Sequence, residues 1–299
     1  MDHPHPGIQP FLAFLKFEKR FSPHTITSYQ TDLVSFFDFI EITFGTTPLD
    51  QLSHTLIRSW LASLKEEGLS AKSINRKIST LRSFFKYEIK RGALTQSPMA
   101  KVIAPKVEKR LPQFVADKDM ATLFNHVTFT DDWKGKTERL ILLLFYNTGM
   151  RLSEAISLKQ NNVDFGAQTV KVLGKGNKER IIPVSASLLQ EIKNYIEAKN
   201  NLADLLPSPL LLINEKGKAL APRAVYTSVK KYLSLITTIE KRSPHILRHT
   251  FATHLMNNGA DLNAVKELLG HASLAATQVY THNTIEKLKN IHKKAHPKA

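Results

Sequence analysis

Between residues 95 and 113 the sequence changes character, and this change constrains the fold more than any other feature. Pro98, Pro105 and Pro112 punctuate a stretch that carries Lys101, Lys106, Lys109 and Arg110. Proline removes a backbone donor and bars a helix interior. Spaced prolines among basic residues read as a connection between domains. The spacing predicts an N-terminal domain over 1–94, a basic linker over 95–113 and a C-terminal domain over 114–299. A chain of 299 residues with 42% hydrophobic side chains can bury a core in each part.

The first part has the helical period. Ser22-Pro23 pairs an N-cap with a proline at the first helical position. Behind it Ile26, Tyr29, Leu33, Phe36, Phe37 and Ile40 recur at helical spacing. A second helix starts at Ser70, with Ile74, Ile78, Leu81 and Phe85 on its apolar face. Asn75, Arg76, Ser79, Arg82 and Lys86 form the opposite stripe. Arg and Asn are side chains that read base edges, so the stripe could lie in a DNA groove; taken alone, it reads first as a solvated face.

The second part is helical with one interruption. Helical patterns run over Asp117–Val127, Glu138–Tyr146 and Leu152–Leu158, with a break at Asn147-Thr148-Gly149. Thr169–Leu173 and Arg180–Val184 then alternate as strands around the turn Gly174-Lys175-Gly176-Asn177-Lys178, a hairpin signal. The fold class expected is mainly α: a helical N-terminal domain and an α+β C-terminal domain with a small antiparallel sheet.

The formal net charge is +16, and both halves carry the excess. A polyanionic partner follows, with nucleic acid ahead of a membrane surface. The chain has no cysteine, which excludes disulfides, thiolate catalysis and Cys-ligated metal. The longest apolar run, Leu140 to Tyr146, is far below the ~20 residues that span a bilayer. The N-terminus lacks the pattern of a signal peptide. A soluble, cytoplasmic protein is expected, with no membrane partner.

Four segments concentrate side chains suited to phosphate binding and proton transfer. In Thr148-Gly149-Met150-Arg151-Leu152-Ser153-Glu154, Arg151 opens a helix, where a guanidinium can fork onto phosphate oxygens. Glu154, three residues on, can hold it in place. Lys175 lies on a glycine-flanked turn without the spacing of a nucleotide-binding loop. In Ser243-Pro244-His245-Ile246-Leu247-Arg248-His249, His245 and Arg248 share one face near a helix N-terminus. A metal site on His245, His249 and His254 is the rival reading, although no carboxylate sits between the first two. In Leu268-Leu269-Gly270-His271, Gly270 reads as a helix-ending glycine that puts His271 at the mouth of a turn, with Tyr280 nine residues on.

Taken together, Arg151, Lys175, His245, Arg248, His271 and Tyr280 match, in order and spacing, the Arg, Lys, His-x-x-Arg, His, Tyr signature of the tyrosine recombinase, or phage-integrase-like, family. The wording Thr-Gly-Met-Arg-Leu-Ser-Glu, Gly-Lys-Gly-Asn-Lys-Glu-Arg and the run from Ser243 to His282 resembles the bacterial Xer group in particular, over nearly the whole chain.

The resemblance implies a SAM-like core-binding domain, a catalytic domain, and DNA strand exchange by two transesterifications. Tyr280 would attack a phosphodiester to form a 3′-phosphotyrosyl link. Arg151, Arg248 and His271 would stabilise the phosphoryl group, His245 would act as base and Lys175 as acid, with Glu154 orienting Arg151. No metal or other cofactor is implied. The expected partners are a double-stranded DNA recombination site, further protomers in a tetramer on two sites, a second Xer-type recombinase and a septal DNA translocase. Residues 284–299 would pass to a neighbouring protomer. The expected role is chromosome-dimer resolution at a dif-like site in the nucleoid; integration of a mobile element by the same chemistry is the alternative. A non-catalytic architectural DNA binder and a type IB topoisomerase-like enzyme are the other readings, and the complete residue set opposes the first.

Overall fold

The computed structural model describes residues 5–107, 113–174, 179–202 and 208–270. The chain divides into two compact units, Met1–Arg110 and Leu111–Ala299. Lys175, His271, Tyr280 and the tail 284–299 lie outside the described residues.

The first unit contains helices α1 (Ile8–Ala13), α2 (Pro23–Phe44), α3 (His54–Glu66) and α4 (Ala71–Lys90), with a π-turn over Phe14–Glu18 after α1. Serine hydroxyls start three of these helices. Ser22 accepts from Thr25 N at 3.2 Å, Ser53 from Leu56 N at 3.5 Å and Ser70 from Ser73 N at 3.3 Å, each satisfying one otherwise orphaned amide. The apolar faces read from the sequence meet in one core. Phe36 and Phe37 of α2 pack edge-on to Trp60 of α3 and Phe84 of α4, at 5.1 and 5.6 Å between ring centroids.

Asp32 is buried inside this core. It accepts hydrogen bonds from Lys77 Nζ at 3.1 Å, from Thr80 Oγ1 at 2.9 Å and from Arg76. A buried carboxylate is tolerated only when paired in this way.

The stretch expected as a linker packs, over its described part, onto the first unit. Met99 and Val102 are buried in the same core as Phe36. The carbonyls of Lys101, Val102 and Pro105 accept from Arg58 Nη2 at 2.9 Å, Arg82 Nη2 at 3.1 Å and Asn75 Nδ2 at 2.9 Å. The physical reason is that a proline-rich segment forms no helix of its own, so its carbonyls need side-chain donors.

The second unit contains α5 (Asp117–Asn125), α6 (Trp133–Thr148), α7 (Leu152–Ile156), α8 (Ala186–Asn200), α9 (Pro222–Ile236), α10 (Pro244–Asn257) and α11 (Leu262–Leu269). A sheet of β1 (Val163–Asp164), β2 (Thr169–Leu173) and β3 (Glu179–Pro183) runs antiparallel in the order β1-β2-β3. The expected hairpin pairs Val170 with Ile182 and Val172 with Arg180. Strand β1 was not legible because two residues carry no alternation. Helix α6 is buried nearly all round, as its run of seven apolar residues requires.

Two left-handed glycines end the helices that flank the site. Gly149 (φ 59°) closes α6, and a Cβ there would come within 2.4 Å of Phe251 Cδ1 and 2.9 Å of Leu269 Cδ2. Gly270 (φ 63°) closes α11. Both conformation and space demand glycine at Gly149.

Candidate active site

The site is built where the ends of three elements converge: the start of α7, the start of β3 and the last turn of α11. Arg151 is the N-cap residue of α7. Glu154, in the first turn, reaches back and accepts from the Arg151 backbone N at 2.6 Å, and from its Nη1 at 2.8 Å. The expectation that Glu154 holds Arg151 thus has a geometric basis, through backbone and side chain together.

The sequence reading missed Arg180. It lies within the Gly-Lys-Gly-Asn-Lys-Glu-Arg segment without a role of its own. Arg180 is buried and forks onto Glu154, Nη1 to Oε1 at 2.7 Å and Nη2 to Oε2 at 2.8 Å. The available signal was parity. Alternate residues of a strand share a face, so Arg180 points the same way as Ile182, into the core.

Arg248 is buried on α10, at the position where helical spacing puts it on the same face as His245, which is exposed. Ser243 occupies the N-cap position, but its hydroxyl makes no capping bond.

Three consecutive carbonyls at the end of α11 organise the three arginines. Leu268 O accepts from Arg180 Nε at 2.8 Å, Leu269 O from Arg248 Nη2 at 2.6 Å and Gly270 O from Arg151 Nη2 at 3.2 Å. Gly149 O accepts from Arg248 Nη1 at 2.5 Å. The last carbonyls of a helix lack intrahelical partners and carry its negative dipole end. Here guanidinium groups satisfy them, which places the arginines and lowers their mutual repulsion.

The electrostatics follow. Burial alone would raise the pKa of Glu154, but the ion pair with Arg180 and the bonds from Arg151 hold it down to about 2. Burial, then the charges of Arg151 and Arg180, bring Arg248 down to about 10. Glu154 therefore stays ionised and Arg248 stays charged at neutral pH. A guanidinium has five N–H donors, and the bonds above use two of Arg248 and two of Arg151. Among the described residues the remaining donors of Arg151 and Arg248 are left over, an arrangement suited to an oxyanion.

The histidine-metal alternative loses a ligand. His254 is fully buried, with Nε2 2.9 Å from Val115 O and Nδ1 2.7 Å from an Asp117 carboxylate oxygen. Both ring nitrogens are committed, Nε2 to the segment before α5 and Nδ1 to the first residue of α5 and to Tyr146 Oη of α6 at 3.2 Å. Among the described residues no group of three or more His, Cys, Asp or Glu could hold a metal ion.

The stripe on α4 faces outward: Arg76, Ser79, Arg82 and Lys86 are exposed and Asn75 is half-buried. Asn75 and Arg82 are also the donors that hold the segment at 102–105, and Arg76 bonds Ser28 and Asp32.

Comparison with known proteins covers both units. The model of the phage integrase N-terminal SAM-like domain matches residues 8–92, and that of the phage integrase family matches residues 113–287. The tyrosine recombinase XerC of Staphylococcus aureus is 40% identical over 291 residues, spanning 97% of this chain and 96% of the relative. That of Chlorobaculum parvum is 34% identical over 317 residues, spanning 98% and 94%. Among solved structures, the XerH site-specific recombinase bound to a palindromic difH substrate superposes with a TM-score of 0.71 at 21% identity, covering 97% of this chain and 82% of that one. A lambda integrase dimer bound to a core site gives 0.70 at 18% identity, covering 93% and 99%. At these identities the structures establish the fold, mainly helical with a small antiparallel sheet. The two domain matches and the full-length relatives establish more: the chain belongs to the phage integrase family and is a tyrosine recombinase, an enzyme that cleaves and rejoins DNA.

Proposed function

We propose that this recombinase resolves chromosome dimers at a dif-like site through a 3′-phosphotyrosyl intermediate, in the manner of the Xer group. The observation that carries the chemistry is the anchoring of Arg248 and Arg151 on the adjacent carbonyls of Leu269 and Gly270. It brings two guanidinium forks to one place, directly before His271 in the chain. A phosphoryl group gains charge on its non-bridging oxygens during transfer, and fixed donors aimed there lower the barrier. The Xer role is supported by the XerC relatives, which span at least 97% of this chain.

In this reading Tyr280 attacks the phosphorus, forms the phosphotyrosyl bond and releases a 5′-hydroxyl. A free phenol titrates near ~10, so the attacking tyrosine must lose a proton on the way. His245 takes that proton, and Lys175 protonates the departing 5′-oxygen. His271 adds a further hydrogen bond. A 5′-hydroxyl of the partner duplex then reverses the step, so bond energy is conserved and no nucleotide cofactor is needed. Residues 1–94 and the α4 stripe (Asn75, Arg76, Ser79, Arg82, Lys86) contact DNA, largely through phosphates. Residues 284–299 pass to a neighbour in a tetramer on two sites, in which a second Xer-type recombinase can take part. A septal DNA translocase acts on the assembly, and the protein works in the cytoplasm on the nucleoid. No helix among the described residues is long and apolar enough to cross a membrane.

The test is incubation with a labelled dif-like duplex, with and without a partner recombinase. A covalent protein–DNA adduct is expected on a denaturing gel. Tyr280→Phe should abolish the adduct and leave DNA affinity unchanged; an adduct of normal yield in that variant places the nucleophile elsewhere. Deletion of a segment between two directly repeated sites is expected for a resolvase. Failure to recombine such sites, with cleavage intact, counts against the chromosomal role.

A further inference from the structure

Arg180 carries none of the roles assigned above, yet it ties the site together. Its planar group bonds Glu154 twice and Leu268 O once, so β3, the first turn of α7 and the last turn of α11 are joined by one side chain. Glu154 is saturated as a result. Its two oxygens take four hydrogen bonds, two from Arg180 and two from Arg151, which matches the roughly four lone-pair sites of a carboxylate. The contact continues at Gly270, where a Cβ would stand 3.1 Å from Arg180 Cδ.

Charge gives Arg180 a second effect. Arg151 paired with Glu154 alone is a neutral unit. With Arg180 on the same carboxylate the group keeps one positive charge, and Arg151 is the more exposed of the two arginines. The positive field then lies at Arg151.

We propose that Arg180 is a positioning residue for DNA cleavage: it grips and neutralises Glu154 so that the Arg151 guanidinium keeps both its direction and its charge for the scissile phosphate. The proposal rests on the recombinase reading of Arg151. In this role Arg180 acts through Glu154 and Arg151 and needs no contact of its own with DNA or the reacting atoms.

The groups that face Glu154 are Arg151 and Arg180 by contact and Arg248 through its charge. Removing Arg180 leaves burial opposed by fewer cations, so the carboxyl would take up a proton at higher pH.

The experiment uses the full chain and a nicked dif-like duplex that traps the adduct, with single-turnover rates measured from pH 5 to 9. Arg180→Gln is expected to slow cleavage by about 10- to 100-fold, the scale of a small misplacement of a catalytic group, at unchanged DNA affinity. Arg180→Lys, which keeps the charge without the fork, should fall between. The acid limb of the Arg180→Gln rate profile should move to higher pH. In an Arg151→Ala background, Arg180→Gln should slow cleavage no further, because its effect passes through Arg151.

Wild-type rates in both Arg180 variants, or Arg180 and Arg151 effects that multiply independently, overturn the proposal. Should Arg180→Gln fail to fold, Arg180→Lys carries the same tests. A wild-type protein that forms no adduct brings down the recombinase reading and this proposal together. A normal wild-type adduct beside unaffected Arg180 variants brings down this proposal alone.

Discussion

Each unit contains a buried carboxylate that is held by two cations, and the two clusters end differently. In the first unit Asp32 takes Lys77, Thr80 and Arg76, all from α4, and the bonds lock α2 to α4. In the second unit Glu154 takes Arg151 and Arg180, and three carbonyls at the end of α11 hold the arginines from the other side. The ion count is alike. What distinguishes the second cluster is the extra set of acceptors, which orients the guanidinium groups and, among the described residues, leaves N–H donors over. Arrangement of acceptors, more than charge, separates the two clusters.

The comparison breaks most visibly at Asp32. Asp32→Ala strands the buried Lys77 ammonium and removes an acceptor from Thr80 and from the exposed Arg76, and should cost about 3–5 kcal/mol of stability, as removal of one partner of a buried pair does. Urea midpoints would show it. Cleavage of saturating DNA by the protein folded in the cold should stay near the wild-type rate. A large loss of rate at unchanged stability would make the Asp32 clamp part of the chemistry.

Arg151→Ala should do the reverse. Glu154 keeps its fork from Arg180, so the urea midpoint should move far less than for Asp32→Ala. Single-turnover cleavage should fall by about 10²–10³, the scale for loss of one fixed oxyanion donor. Equal stability losses in the two variants would erase the distinction drawn above.

Acid sharpens the contrast. The folded pKa of Glu154, about 2, lies below its unfolded value near ~4.3. Its contribution is complete above the unfolded value and is lost as pH falls toward 2, by at most about 3 kcal/mol. Urea midpoints between pH 7 and 2.5 should drop along this curve, and Glu154→Gln should flatten that part of it. An identical slope in the variant would mean that other carboxylates carry the acid sensitivity.

The smallest effect is expected at a helix cap. Ser70→Ala removes the acceptor for Ser73 N and should cost about 1 kcal/mol with no change in the cleavage rate. A rate change there would show that the start of α4 bears on catalysis.

Much of the local structure is legible in the residues. Ser22-Pro23 and Ser70 start helices where read, Gly149 and Gly270 end them, and the hairpin pairs as its alternation predicts. These signals are short-range: a hydroxyl three residues from an amide, a missing Cβ, a period of two. The spacing of Arg151, His245 and Arg248 was legible through the family resemblance.

The residues alone determined the helical period, the caps, the hairpin and the basic charge, because each depends on neighbours a few positions away. Tertiary structure alone decided the rest. Arg180 meets Glu154 across 26 positions and Leu268 across 88, and Met99 and Val102 turn a sequence that reads as linker into core. A hydrogen-bonding or apolar group states what it needs, while its partner is chosen only when the chain closes and brings a distant carbonyl, carboxylate or cavity within reach.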